Sequence, residues 1–195
     1  NDDVLNSTNT ENSSDLTAYN FSNNLLYRHS FEKRGRTFSI NVNTAFNKST
    51  GESLLLSENI FYDRQGNPEN QDLRQSASLT QPGVTLRANA TYTEPITDKS
   101  QLMVTYQYGY QYNDSKKETY DYNEGTGEYS DLNIPLSNIF QNDYITQGAT
   151  LGYNLRGEKS NLSVSGNYQR ATLDNDQTFP TQDNVDRVFN NFLPS

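Results

Sequence analysis

Residues 36–46, RTFSINVNTAF, alternate without a break: Phe38, Ile40, Val42, Thr44 and Phe46 fall on one side, Ser39, Asn41, Asn43 and Ala45 on the other. Successive side chains of a strand point to opposite faces, so this run reads as a strand with one apolar and one polar face; a helix would scatter the same residues around its circumference. QLMVTYQYGYQY at 101–112 repeats the pattern, with Leu102, Val104, Tyr106, Tyr108, Tyr110 and Tyr112 opposite Met103, Thr105, Gln107, Gly109 and Gln111. Weaker ladders follow at 83–92 (Val84, Leu86, Ala88, Ala90, Tyr92), 149–155 (Ala149, Leu151, Tyr153, Leu155) and 162–168 (Leu162, Val164, Gly166, Tyr168). With a blurred strand around 21–29, where Phe21, Leu25 and Tyr27 are in phase, the sequence predicts about six strands.

The connections alternate in size. Short polar stretches at 32–36, 94–100 and 156–161 read as tight hairpins, whereas 48–76 and 113–144 are far longer than the usual connection of a compact domain. The expected fold is all-β, an antiparallel up-and-down meander with every short turn at one end and every long connection at the other. The long stretches have hairpin grammar of their own, around Gly66-Asn67-Pro68 and around Gly125 and Gly127, and are expected to prolong the strands. Pro82-Gly83, with Leu79 out of phase with Val84, predicts a bulge or register shift. The Asn/Ser/Thr-rich residues 1–15 read as a flexible lead-in, leaving 16–195 as the β domain.

An apolar sheet face must be covered by a second sheet, by helices or by lipid. No segment has a helical apolar period, and the longest aliphatic run, Leu54-Leu55-Leu56, is far short of the roughly 20 residues of a spanning helix. Spanning strands are a different matter, because they alternate and look hydrophilic on average, as this chain does at a mean hydropathy of −0.92. The ladder from Leu102 to Tyr112 is about 33 Å long, or about 25 Å high at a tilt near 40°, the height of the apolar band of an outer-membrane barrel. Expected to face lipid are Phe38, Ile40, Val42, Phe46, Val84, Leu86, Leu102, Val104, Tyr106, Tyr108, Leu151, Tyr153, Leu162 and Val164; expected to face a wet lumen are Ser39, Asn41, Asn43, Arg87, Asn89, Gln107, Asn154 and Asn167. The alternative is a secreted or surface β-sandwich that binds carbohydrate or protein through its long loops. Six tilted strands would close to a diameter near 12 Å, too narrow for a pore, so an open curved sheet is expected, with edges near Phe21 and Val164.

Composition removes most other chemistries. With 24 acidic against 15 basic residues, the net charge of −9 argues against nucleic acid as a partner. There is no cysteine and a single histidine, His29, so thiolate, iron–sulfur and Cys-based zinc chemistry is excluded and a catalytic triad has little to build from. The acidic stretch DYNEGTGEYSD at 121–131 lacks the EF-hand glycine, since its sixth position is Thr126, and reads as a solvated hairpin. No catalytic, cofactor or metal residue is assigned, and no enzyme activity is expected.

YTEPITDKSQLMVTYQY at 92–108, the stretch 119–171, the closing QTFP and RVFNNFLPS, and LLYRHSFEKRGRTFSINVNTAF before them resemble the barrel region of TonB-dependent receptors from Bacteroidetes, the outer-membrane β-barrel family. The resemblance spans roughly 16–195. It implies a segment of a larger transmembrane barrel in the bacterial outer membrane, with short periplasmic turns and long extracellular hairpin loops. It further implies a part in nutrient uptake, and as partners outer-membrane lipid, the remainder of the barrel, a plug domain and TonB. No plug domain or TonB-box-like segment is legible in these residues, and the transported substrate is not encoded in any motif.

Overall fold

The structure, a computed structural model, describes residues 6–62, 67–157 and 160–194. They form an all-β antiparallel meander of eight strands: β1 Asn6–Ser30, β2 Thr37–Tyr62, β3 Pro68–Thr97, β4 Ser100–Asn123, β5 Glu128–Leu132, β6 Asn138–Arg156, β7 Asn161–Phe179 and β8 Asp183–Pro194. The only helical element among the described residues is a single 3-10 turn, Ile134–Leu136. The sheet runs β1-β2-β3-β4-β6-β7-β8, with β5 paired to the end of β4, and it is open, β1 and β8 forming its edges.

The ladders are long because neither hairpin partner changes phase. Pairing between β1 and β2 is continuous from Asn6↔Phe61 to Ser30↔Thr37, and between β2 and β3 from Thr37↔Thr93 to Tyr62↔Pro68. The long connections at 48–76 and 113–144 are therefore mostly strand, as their hairpin grammar suggests. The second also holds β5 and the 3-10 turn, whose Asn133 cap accepts a bond from the Leu136 amide at 3.2 Å.

The structure corrects the sequence reading at several points. Six strands become eight, the additions being β5 and β8. Residues 6–15, read as lead-in, are the outer half of β1 and pair with Glu52–Phe61; residues 1–5 lie outside the described part. The far edge is formed by β8 where it covers β7 from Gly166 to Gln177, a strand the sequence reading did not expect, while Val164 pairs only with Tyr153 in β6 and stays at the edge. No bulge occurs at Pro82-Gly83. The β3–β4 ladder skips two residues there and resumes in the same register, Thr80↔Lys116 and Gly83↔Asn113, since proline's missing N–H removes a ladder bond without inserting a residue. The shift falls instead between Pro95 and Thr97, beside the short turn. Unbroken register puts Leu79 on the polar face, opposite to Val84.

A single layer has almost no interior. Ala171 is the one buried apolar residue among those described, at 6% exposure. The chain exposes 14204 Å², against about 9,400 Å² for a compact protein of its 22.2 kDa mass. Among the described residues no second sheet covers the first.

Gly51 tests the unexpected half of β1. A Cβ there would meet the Asp15 carbonyl oxygen at 2.8 Å and the Leu16 Cα at 3.4 Å, both backbone, so the strands must separate to admit it. Gly51→Ala should cost about 1–3 kcal/mol in urea unfolding of the detergent-folded chain. Gly152→Ala, whose new methyl meets only ordinary contacts with the Met103 Cε at 3.6 Å, should be within about 0.5 kcal/mol of the parent. Equal effects would mean that residues 6–16 are not docked on β2.

Candidate functional surface

The continuous register assigns every strand residue to one of two faces. All fourteen residues expected on the lipid side share one face, and all eight expected in the lumen share the other. The first face is an apolar belt: Leu25 and Tyr27 beside Val42 and Ile40, then Ala88 and Ala90, Tyr108 and Tyr106, and on towards Leu151, Val164 and Phe192. It is widely exposed, with Leu151 at 56%, Val164 at 54% and Phe192 at 68%. Belt residues missed by the sequence reading include Ile145 of β6, beside Tyr110, and Val188 and Phe192 of β8, beside Thr172 and Tyr168.

The belt is slanted relative to the rows of paired residues. The row through Val42, the centre of the β2 ladder, passes Ala88, Tyr108 and Gln147 and reaches β7 at Arg170. The β7 ladder, Leu162 to Tyr168, is centred five residues nearer the short turns. Five residues are about 17 Å along a strand, and four strand steps are about 19 Å across the sheet, so between β2 and β7 the strands lean about 40° from the perpendicular to the belt; on β8 the belt residues Val188 and Phe192 flank Asn190, back in the row of Val42. Barrel strands are tilted by about 35–45° to the barrel axis.

Three polar side chains in the belt or at its upper border accept hydrogen bonds from tyrosine hydroxyls of neighbouring strands. Tyr106 donates to the Gln147 Oε1 at 3.3 Å, Tyr110 to the Asp143 Oδ1 at 2.7 Å and Tyr168 to the Asn190 Oδ1 at 2.9 Å. Above the belt, towards the long connections, acids gather on the same face: Asp143, Asp174 and Asp186 stand side by side on β6, β7 and β8.

The opposite face is built from carboxamides and hydroxyls. One row reads Asn20, Asn47, Gly83, Asn113, Asn142 and Asn175 across six strands, and another reads Asn41, Asn89, Gln107, Gly148, Gln169 and Asn191. Asn24 donates to Asn43, Asn175 to Asn142, and the Thr150 hydroxyl to the Asn167 Oδ1 at 3.2 Å. Between the Asn47 row and the short turns this face holds Arg28, Arg87, Arg156 and Arg187 but no Asp or Glu. The lumen candidates Asn41, Asn89 and Gln107 adjoin in one row; Asn43 and Arg87 adjoin in the next, while Asn154 lies lower, hydrogen-bonded to Ser163 at 2.5 Å.

The short-turn end is clamped. The Lys33 ammonium and the Arg36 guanidinium, both from the β1–β2 turn, meet the Glu94 carboxylate of β3 at 2.6 and 2.7 Å, and Tyr92 donates to the same carboxylate at 2.7 Å. The bond to Glu94 raises the pKa of Arg36 above its ordinary value. Gly35, at φ 87°, closes the turn, where its missing Cβ avoids the left-handed penalty. A cavity of about 900 Å³ opens beneath the turns, lined by Lys33, Arg34, Pro95, Lys99, Arg156 and Ser163 among others. At the other end, the 121–131 stretch folds as a hairpin. The Asn123 Oδ1 accepts from the amides of Gly125 and Thr126 at 2.8 and 3.1 Å, and Gly127 takes φ 74°. His29 stacks edge-on to Phe31 at 4.5 Å between centroids. Among the described residues no group of three or more His, Asp or Glu side chains is placed to hold a metal ion.

Compared with known proteins, the chain matches no family model and no curated sequence.

The clamp gives a direct test of the turn. In Glu94→Gln, the amides of Phe31 and Arg36, which close the turn by bonds of 3.1 and 3.0 Å, should exchange with solvent several-fold faster, while mid-strand β2 amides keep their rates. Unchanged exchange at both turn amides would show that the carboxylate does not hold the turn.

Proposed function

We propose that this chain is a section of a bacterial outer-membrane β-barrel, serving within a nutrient receptor and transporter energised through TonB. The observation that carries the membrane reading is the exposed apolar belt opposite a carboxamide face, slanted across the strands between β2 and β7. A sheet covered by another protein layer needs no particular relation between its apolar band and its strand direction, but a barrel wall must tilt its strands across a flat bilayer. The tilt of about 40° comes from register drift between β2 and β7 and the ladder length of about 33 Å from the strand period, and together they give a height of about 25 Å, that of a barrel's apolar band.

The tyrosine-capped polar atoms support the same reading, because an unpaired polar group facing hydrocarbon costs several kcal/mol. The polar face, rich in carboxamides, then lines the water-filled or plugged interior. Role and energy source, transport through TonB in place of catalysis, rest on the sequence resemblance to Bacteroidetes receptors. In that arrangement the short turns expected at 32–36, 94–100 and 156–161 face the periplasm and the opposite ends face outwards.

Two measurements test this. Val42→Arg and Val104→Arg should destabilise the intact barrel by about 2–4 kcal/mol, whereas Asn43→Arg on the other face should cost little. Equal costs would favour a water-soluble sheet. Because the chain has no cysteine, single thiols report topology cleanly. On whole cells an impermeant reagent should label Thr126→Cys and spare Asp98→Cys, and the reverse pattern would invert the orientation.

A further inference from the structure

We infer that the belt face of β6, β7 and β8 carries a binding site for a phosphorylated glycolipid of the outer leaflet, centred on Arg170 with Gln147 and Asn190 beside it. The inference rests on the barrel reading above and adds to it a defined ligand. Gln147↔Arg170 and Arg170↔Asn190 are paired positions, so the three side chains form one row across adjacent strands. At about 4.8 Å per strand step the row is about 10 Å wide. All three residues are exposed.

The row interrupts an apolar surface. Two residues below it on the same face stand Ala149, Tyr168 and Phe192, and two residues above it Ile145, Thr172 and Val188. Phe192 is 68% exposed and Val188 50%, so the surface on either side of the row is open. An arginine set in such a strip needs a counter-charge, yet no ion pair or side-chain hydrogen bond among the described residues reaches Arg170.

Hydrogen bonding gives the row one chemical sense. The Tyr106 hydroxyl donates to the Gln147 Oε1 at 3.3 Å and the Tyr168 hydroxyl to the Asn190 Oδ1 at 2.9 Å. With the oxygen of each amide engaged, the row is left to offer donors: the Gln147 Nε2, the Arg170 guanidinium and the Asn190 Nδ2. Three neighbouring donors, one of them cationic, suit an anion with several oxygens, and a guanidinium meets a phosphate through two parallel bonds.

Height sets where that phosphate stands. Arg170 lies five residues beyond Ser165, the centre of the β7 ladder, on the side of the long connections. That is about 17 Å along the strand and about 13 Å in height at a tilt near 40°, the upper border of an apolar band about 25 Å high. Lipid phosphates stand at that border, with acyl chains below them on Tyr168 and Phe192. In the proposed orientation this border belongs to the outer leaflet. Four residues higher, about 13 Å along the strands, Asp143, Asp174 and Asp186 form a second row on the same face. That separation exceeds the Debye length of about 8 Å, so these acids do not cancel the charge of Arg170. They bar a phosphate from the upper row and accept hydrogen bonds of the kind sugar hydroxyls donate. A sugar headgroup reaches from a phosphate on the lower row to the acids, whereas a glycerol phosphate headgroup is too short. Donors below and acceptors above therefore favour the glycolipid.

Native mass spectrometry of the intact receptor in neutral detergent tests this, with phosphorylated lipid A, its dephosphorylated form and phosphatidylglycerol as probes. Phosphorylated lipid A should bind about tenfold more tightly than either of the others. Arg170→Gln and Asn190→Asp should each reduce that preference about fivefold, whereas Lys48→Gln on the same face and Arg187→Gln on the other should leave it unchanged. Equal binding of either comparison lipid, or an undiminished preference in Arg170→Gln, would overturn the proposal. So would an equal loss in Lys48→Gln, the mark of general charge attraction at the border. A benzoylphenylalanine at Thr172, between the two rows, should form lipid adducts in the outer membrane, and protein adducts in their place would assign the row to a protein partner and overturn the lipid site. Brominated-lipid quenching of tyrosine fluorescence reads the membrane assignment separately: quenching without headgroup preference sinks only this site, whereas no quenching sinks the barrel reading itself.

Discussion

Backbone pairing in a single layer is the constraint on which everything else in this molecule depends. Each strand is held by the N–H and C=O groups of its neighbours, with nothing stacked above or below it, so no core fixes the sheet's position. Register must then come from the ladders themselves, and long uninterrupted ladders supply it: β2 and β3 pair over the whole length of β2. A slip of one residue would turn Val42 and Ile40 to the carboxamide face and Asn41 and Asn43 to the belt. The energy that forbids the slip lies in what each face contacts, so the same alternation that defines the strands also fixes their pairing.

Charge placement follows from the same division. The chain is strongly acidic and hydrophilic on average, yet its acids avoid both the belt and the lower polar face. On the belt side they begin where the apolar ladders end, with Asp143, Asp174 and Asp186 in a line and Asp114 and Asp176 one row higher. Asp174, facing its two neighbours, is the most crowded of them. Glu94 is the exception at the lower border, and there two cations and a tyrosine hydroxyl surround it. The negative mean hydropathy thus reports the sum of two wet ends and one wet face, and conceals a continuous apolar band.

Much of this was legible in the sequence because period two survives wherever one face is apolar. Phe38 to Phe46 and Leu102 to Tyr112 could only be strands, and their face assignments carried the remaining ladders with them. Legibility failed where that contrast vanished. Asn6 to Asp15 is polar on both faces, so its strand exists only through its pairing with Glu52–Phe61. In β8, Val185, Val188, Phe189, Phe192 and Leu193 follow each other at spacings of three and one, which suits a helix stripe. As a strand, the run puts Val188 and Phe192 on the belt and Val185, Phe189 and Leu193 on the other side. Pro82-Gly83 misled in the other direction, because a residue that cannot donate interrupts hydrogen bonding without changing phase. The slant of the belt was not readable from ladders taken one by one, since it appears only when the register links them.

The two faces differ most in how they treat polar atoms, and this difference bears on what each face meets. On the belt side, Gln147 and Asn190 within the belt and Asp143 at its upper border each receive a tyrosine hydroxyl from the adjacent strand, so part of the hydrogen-bonding capacity is consumed within the sheet. On the other face, the carboxamide rows offer far more donors and acceptors than their neighbours can use, and no ion pair among the described residues involves Arg28, Arg87 or Arg187. Buried dry, each unsatisfied amide would cost about 1–3 kcal/mol, and a whole row would outweigh the stability of a typical domain. A second protein layer packed on that face would have to match every amide, whereas water does so without design. The belt, conversely, presents mostly apolar side chains, Arg170 being the charged exception in the row of Val42. A sheet that spends much of its polar capacity internally on one side and leaves it open on the other suits the two surroundings proposed for it, hydrocarbon on the belt and water on the carboxamide face.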